Sequence, residues 1–434
     1  MKIPRAIALI AMAFTGLALQ GCSSTAGAAP HGAGAALIAP RTALEPVVQL
    51  AQSVPSGTGL EQTDLPFAKD VWIDLARGAE STIDMGQFYL ANQPGQALEP
   101  VIQELEKAGA RGVRIRMLIS KVMIQNDLPT YRRVLAIPHA QVQVWDLAQL
   151  TGGIIHAKYW VVDQKEVYVG SQNFDWRSLT QIHETGVRVR DPEVAGQLTQ
   201  IFNTDWKIAT TGLAPTALPD VPSPRPPKAM ELVASPQAFN PAGVRAALPA
   251  LLELLGAAKH SIRFQVMTYS TVEGHDFWPP IDNALRAAAV RGVQVQMMVA
   301  DWNTGKPDID HLKSLGLIPG VQLKIASIPQ EPNVPFIPYA RVIHSKILMI
   351  DDQILWVGTS NWGKDYFESS RNVELIFRSP DLAAQGNRIF TKLWQSPYVA
   401  FIDPTHTYVP PKTDSAPDPA AVMPPAPSRA DSRN

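Results

Sequence analysis

The chain has 434 residues, 46% of them hydrophobic and 18% charged, which is enough for two domains of ordinary size with a substantial core. Lys and Arg number 38 against 39 Asp and Glu, so the net charge of −1 excludes a polyelectrolyte surface over the whole molecule while leaving room for a local basic groove. A single cysteine excludes an internal disulfide, and stability must come from the core.

In chain order, Lys2 and Arg5 open a basic start, and residues 6–19 form an apolar run broken only by Thr15 and Gly16. That run is shorter than the ~20 residues of a bilayer span and reads as the core of a signal peptide. Leu19-Gln20-Gly21-Cys22 resembles a bacterial lipobox, in which the cysteine is lipidated and becomes the new N-terminus. The alternative is an ordinary secretory signal cut near residues 28–29, with Cys22 discarded. Ser23 follows with no retaining Asp, so the lipobox reading expects a lipid anchor at Cys22 on the periplasmic face of an outer membrane. Residues 23–60 are rich in Ala, Gly and Pro and are expected to form a flexible tether. Two halves follow, residues 61–212 and 231–408, separated by a Pro-rich linker at 213–230 and trailed by a disordered tail at 409–434.

The halves are copies of one unit. Ser81 to Tyr89 matches Ser261 to Tyr269, and Arg111-Gly112-Val113 matches Arg291-Gly292-Val293, both at a step of 180 residues. Helical spacing of apolar residues predicts helices over 68–78 and 97–110, and apolar runs predict strands over 113–119 and 293–299. Gly112 and Gly292 mark the turn from helix to strand. Helices alternating with strands predict an α/β sandwich with a mixed sheet in each half, and the duplication predicts two such sandwiches about a pseudo-two-fold axis.

The repeat carries the chemistry. Ile155-His156-Ala157-Lys158 with Asp163 recurs as Ile343-His344-Ser345-Lys346 with Asp351, and a Gly-x-x-Asn turn follows each, ending in Asn173 and Asn361. Here the step is 188 residues, so the second copy holds eight extra residues upstream, which the Pro-rich segment 328–339 accounts for. His and Lys two apart on a strand share a face. Two lysines and two asparagines can clamp the non-bridging oxygens of a phosphodiester. Two imidazoles can divide nucleophilic attack from proton transfer. Glu184 and Glu374, 28 and 30 residues after their histidines, are the expected carboxylates on the far ring nitrogens. Asp163 and Asp351 are expected to serve structure, and His183 is expected at the surface. His31, His139, His260, His275, His311 and His406 share no spacing and receive no role. Nothing in the sequence resembles a metal site, a dinucleotide fingerprint or a P-loop, so no cofactor is expected.

Paired His-x-Lys-x4-Asp signatures resemble those of the phospholipase D superfamily, over roughly residues 66–396. The resemblance implies an internally duplicated α/β fold and a metal-independent phosphodiesterase with a phosphohistidine intermediate. His156, Lys158, Asn173, His344, Lys346 and Asn361 would then line one site, with His156 as nucleophile and His344 as acid, or the reverse. The run from Tyr159 through Gln181, and Gly358 through Phe367, is similar to the endolysosomal branch, whose members are exonucleases on single strands and lysophospholipid transphosphatidylases. The chain differs from that branch in lacking disulfide cysteines and in carrying a lipobox.

Two substrates follow as expectations, phospholipid first and single-stranded nucleic acid as the alternative. The anchor and the near-neutral charge favour phosphatidyl transfer or hydrolysis on phospholipid. The finer resemblance favours 5′ exonuclease action on single-stranded nucleic acid, for which Arg177, Arg341, Trp176, Trp362 and Tyr366 could supply charge and stacking. A non-catalytic scaffold is the reading from another class, and two undamaged half-sites weigh against it. No obligate protein partner is evident.

Overall fold

The computed structural model describes residues 47–213, 228–274 and 276–415. The expected signal peptide, Cys22, most of the tether, most of the linker, His31, His275 and the end of the tail lie outside the described residues.

The helix Ala68–Gly78 buries Ala68, Val71, Trp72, Leu75 and Ala76, an apolar stripe at the helical period. Its neighbour Glu99–Ala110 buries Val101, Ile102, Leu105 and Ala108 and stops at Gly112, whose φ of +95° only glycine adopts freely. The second half repeats the device with Pro280–Val290 and Gly292, φ +91°.

Each half is built on a mixed sheet. The first has seven strands, ordered Val47–Ser53, Glu184–Arg190, Glu166–Gly170, Tyr159–Val162, Thr82–Gln87, Arg114–Ser120, Ala140–Trp145. The second has nine, and its inner seven keep the same order: Met230–Ser235, Asn372–Arg378, Ile354–Gly358, Ile347–Ile350, Ser261–Gln265, Gln294–Ala300, Val321–Ala326. Arg245–Ala246 and Val399–Phe401 extend its two edges. Within each sheet the last three of the seven run parallel and the rest antiparallel.

Register locates the insertion. Ile115 pairs with Ala140 and its counterpart Val295 with Val321, so the step has grown to 181 at that strand. The other seven of the eight extra residues therefore fall between Ala326 and His344, around the Pro-rich segment.

The tether is shorter than expected. Residues 47–60 belong to the folded body, because Val47–Ser53 adds an antiparallel edge strand to Glu184–Arg190 and buries Leu50 and Ala51. The Ala-, Gly- and Pro-rich stretch ahead of it hid this strand, whose own residues hold a single Ala. The start of the expected tail is also engaged, since Tyr339 donates its backbone N–H to the Thr413 carbonyl.

The halves share a core. One cluster joins Val187, Ile201 and Phe202 of the first half to Leu232, Val357, Leu375 and Phe390 of the second. Across this contact Asp205 and Arg371 form an ion pair of 2.8 Å, fully buried on both sides. Arg371 also donates to Ser235 O, Phe239 O and Asn240 Oδ1, so most of its charge is satisfied away from water.

Candidate active site

Both motif segments enter at the seam between the sheets, and each is stitched to the opposite half. His156 N–H donates to Arg371 O, and His344 N–H donates to His183 O. The two isolated bridges here, Ile155 with Arg371 and Ile343 with His183, exchange under the 188-residue step. The pseudo-two-fold axis thus runs between the two histidines.

The site is recessed: His156 and His344 are 4% and 8% exposed, and Lys158 and Lys346 each 1%. Each lysine doubles back to the carbonyl of its own histidine, Lys346 Nζ reaching His344 O at 2.7 Å and Lys158 Nζ reaching His156 O. Burial first, then the opposing ammonium, holds Lys158 well below the usual lysine range. Burial brings Lys346 down to about 7 although Glu184 and Glu374 pull the other way. Burial and the two lysines push both imidazoles below their ordinary value. So much positive character packed out of water favours an anion between the half-sites. Asn173 and Asn361 are buried beside it with their amide oxygens unpaired within the protein.

The Gly-x-x-Asn turns come close because glycine permits it. A Cβ on Gly170 would lie 2.4 Å from Gln172 Oε1 and 2.8 Å from Gly186 Cα, and one on Gly358 would collide with the Glu374 carboxylate.

Behind the imidazoles the symmetry fails. His344 Nδ1 lies 2.6 Å from Glu184 Oε1. Burial raises Glu184, burial and the two lysines lower His344, and the carboxylate faces the ring nitrogen as its hydrogen-bond partner. His156 Nδ1 lies 3.0 Å from the Asn372 amide oxygen. The direction of that bond is determined. Asn372 Nδ2 donates to Tyr366 O at 2.9 Å and Thr359 Oγ1 donates to Asn372 Oδ1 at 2.9 Å, so Oδ1 faces His156 as an acceptor. His156 must therefore carry its proton on Nδ1 and present Nε2 as a lone pair.

The walls are unequal too. Phe88 packs on the His156 ring at 5.2 Å between centroids and Tyr366 edges onto it at 4.9 Å, while Lys158 Nζ sits 5.2 Å from the Phe88 centroid. The repeat places Thr268 and Ser178 at the corresponding positions of the other half-site.

Comparison with known proteins identifies the family. The family model described as "Cardiolipin synthase, PLD-like domain" matches residues 72–206 and again 251–394. The chain belongs to the phospholipase D superfamily. It is 33% identical over 398 residues to 5′-3′ exonuclease PLD3 of Homo sapiens, covering 82% of this chain and 80% of that protein. It is also 33% identical over 387 residues to Phospholipase D Z of Dictyostelium discoideum, covering 81% and 90%. A solved structure of phosphatidylserine synthase from Haemophilus influenzae Rd KW20 matches with a TM-score of 0.57 at 12% identity, over 77% of this chain and 85% of that one, which speaks to the fold alone. The expected duplicated α/β fold is therefore the observed one, and the protein is an enzyme of phosphodiester bonds.

Within this phospholipase D fold several side chains stand elsewhere than expected. Glu374 does not reach a histidine; it accepts from the Thr359 and Ser360 backbone N–H groups and from Ser360 Oγ, and burial lifts it to about 7. Asn372 takes its place, because the 188-residue step from Glu184 lands there and not two residues later. His183 is buried, with Nδ1 3.0 Å from Gln265 Nε2, and burial lowers it to about 4. It does point away from Glu184, but that side of the chain meets the other half of the molecule and not solvent. Trp362 stacks on Phe264 at 4.2 Å inside the core. Arg341 is spent on Pro329 O and Ser56 O, and Arg177 on Asp175. Trp176 lies 5.9 Å from the Arg177 guanidinium. Of that expected set Tyr366 packs on a catalytic candidate, His156; its partner Phe88 had no signal beyond lying at the end of a repeated strand.

Asp163 and Asp351 hold the strand ends. Asp163 accepts the backbone N–H groups of Glu80, Ser81 and Thr82, and Asp351 those of Lys259, His260 and Ser261. Both sit in the left-handed region, φ 52° and 54°, which Asp tolerates better than most residues. Among the described residues no group of three or more His, Cys, Asp or Glu is placed to hold a metal ion.

Proposed function

We propose that the protein cleaves phosphodiesters in two displacements through a covalent bond to His156, and that its substrate is the end of a single-stranded nucleic acid. The observation that carries the mechanism is the unequal backing of the histidines. Asn372 fixes His156 as a Nδ1–H tautomer with a nucleophilic Nε2, and Glu184 lets His344 hold a proton. In the first step His156 Nε2 bonds to phosphorus while the leaving oxygen takes the proton from His344 Nε2. In the second, water gives its proton to His344 and attacks phosphorus as the bond to His156 breaks. Lys158, Lys346, Asn173 and Asn361 hold the non-bridging oxygens through both steps.

Three things support a strand end: the depth of the site, the Phe88 and Tyr366 rings beside His156, and relatives named 5′-3′ exonuclease. A second reading, phospholipid hydrolysis or transfer, draws support from a relative named Phospholipase D Z. It would suit a lipid anchor at Cys22, which we propose as a tether to the bacterial envelope. Among the described residues no helix is long and apolar enough to cross a membrane.

The test sets a 5′-hydroxyl single-stranded oligonucleotide beside phosphatidylglycerol micelles, with chelator present and with His156→Ala and His344→Ala as controls. Stepwise trimming lost in both variants supports the nuclease. Headgroup release or transfer, without trimming, would move the protein to the lipid reading.

A further inference from the structure

Asn372 stands where the repeat puts a carboxylate, and its surroundings define its orientation completely. Its Nδ2 is committed to Tyr366 O, its Oδ1 receives the Thr359 hydroxyl, and that hydroxyl in turn accepts the Val373 N–H at 3.1 Å. His156 Nδ1–H is the remaining donor to Oδ1. All these atoms are buried or half-buried, and Asn372 itself is fully buried.

An amide oxygen accepts a hydrogen bond but does not take the proton at neutral pH. A carboxylate does both, and Glu184 shows what the fold does with one in the mirror position. Once His156 Nε2 is bonded to phosphorus, the ring carries Nδ1–H and a positive charge. While that proton stays, the group expelled in the second step is neutral imidazole, a good leaving group. If the proton passed to a partner, the intermediate would become a neutral phosphoramidate whose leaving group is imidazolate. A carboxylate would also stabilise the cationic ring by charge. By either route the intermediate would persist.

We infer that Asn372 is a positioning residue that keeps the proton on His156 Nδ1 throughout the cycle and thereby keeps the covalent intermediate short-lived. This inference rests on the covalent role proposed for His156. No atoms are exchanged with Asn372: the P–N bond forms and breaks at Nε2, and the only protons that move are those carried by His344.

The test follows the full-length protein with thymidine 3′-(4-nitrophenyl phosphate), whose leaving group needs no acid. Asn372→Asp should release one equivalent of nitrophenolate in a burst and then turn over about tenfold or more slowly than wild type. Intact-mass analysis should show a thymidylyl adduct on His156 that wild type does not accumulate. An Asn372→Asp enzyme with wild-type turnover, no burst and no adduct would overturn the inference. A second measurement needs no change at Asn372. In His344→Ala, where the second step has lost its base, nitrogen NMR of the trapped adduct should find His156 Nδ1 protonated from mildly acidic to alkaline pH. Deprotonation at neutral pH would overturn the inference even if Asn372→Asp fails to fold. Absence of any adduct in His344→Ala would instead remove the covalent reading beneath it.

Discussion

Burial lowers the basicity of each lysine and histidine of the site, and neighbouring ammonium groups add to it for Lys158 and both histidines. Lys346, brought to about 7, is the group whose titration should be visible. In the proposed mechanism its ammonium binds the phosphodiester, so kcat/KM should fall as pH rises through about 7. Bound substrate, an anion, favours the charged lysine, so the corresponding limb of kcat should lie at higher pH. Profiles flat well into the alkaline range would remove Lys346 from substrate binding. Phe88 makes a separate prediction. Phe88→Leu should raise KM for an oligonucleotide by about tenfold, the loss of one stacked base, while sparing a substrate with an abasic 5′ terminus. Equal losses on both would make Phe88 only a packing partner of His156.

At the scale of elements, the motif acid is a clamp on the chain and not a reagent. Asp163 joins the end of Tyr159–Val162 to the start of Thr82–Gln87 through three backbone N–H groups. Burial would raise its pKa, but those hydrogen bonds outweigh it and hold the carboxylate below its ordinary value. A group depressed on folding stabilises above its unfolded pKa, and that contribution is lost as pH falls through the folded one. Asp163→Ala should therefore cost about 1–3 kcal/mol in a urea titration at neutral pH, with the deficit shrinking in acid. A deficit that persists unchanged in acid would point to packing as the source. The repeated spacing made the two aspartates legible as a matched pair, and helical periodicity made Ala68–Gly78 legible in full. Val47–Ser53 was not legible, since an edge strand declares itself only by the partner that receives it. Asn372 was present in the sequence at the 188-residue step, but a carboxylate two residues on drew attention from it because ring orientation by an amide has no spacing signature of its own.

The whole molecule is two copies of one sheet made dependent on each other. Each histidine is backed by a side chain of the opposite half, Glu184 behind His344 and Asn372 behind His156, so neither half contains a complete proton path. The seam is held by a shared apolar core and by the buried Asp205–Arg371 pair, whose Arg371 carbonyl also receives the His156 N–H. Removing one partner leaves a buried charge uncompensated. Asp205→Ala should cost about 3–5 kcal/mol and reduce activity even where the protein remains folded. Full activity in the folded variant would separate the seam from the site. Which half supplies which residue could not be read from a single sequence, because crossing hydrogen bonds are properties of the assembled pair. The fold class could be read, because duplication and alternation of helix with strand survive without it.

The central claim is that His156 takes the phosphoryl group and His344 moves the protons. The most direct measurement mixes His344→Ala with thymidine 3′-(4-nitrophenyl phosphate), quenches within the first turnover and maps the modified residue by peptide mass. The account predicts one equivalent of nitrophenolate and a thymidylyl group on His156. The same burst from His156→Ala, with the group on His344, would reverse the roles. Turnover with no modified histidine in either variant would contradict the covalent mechanism altogether.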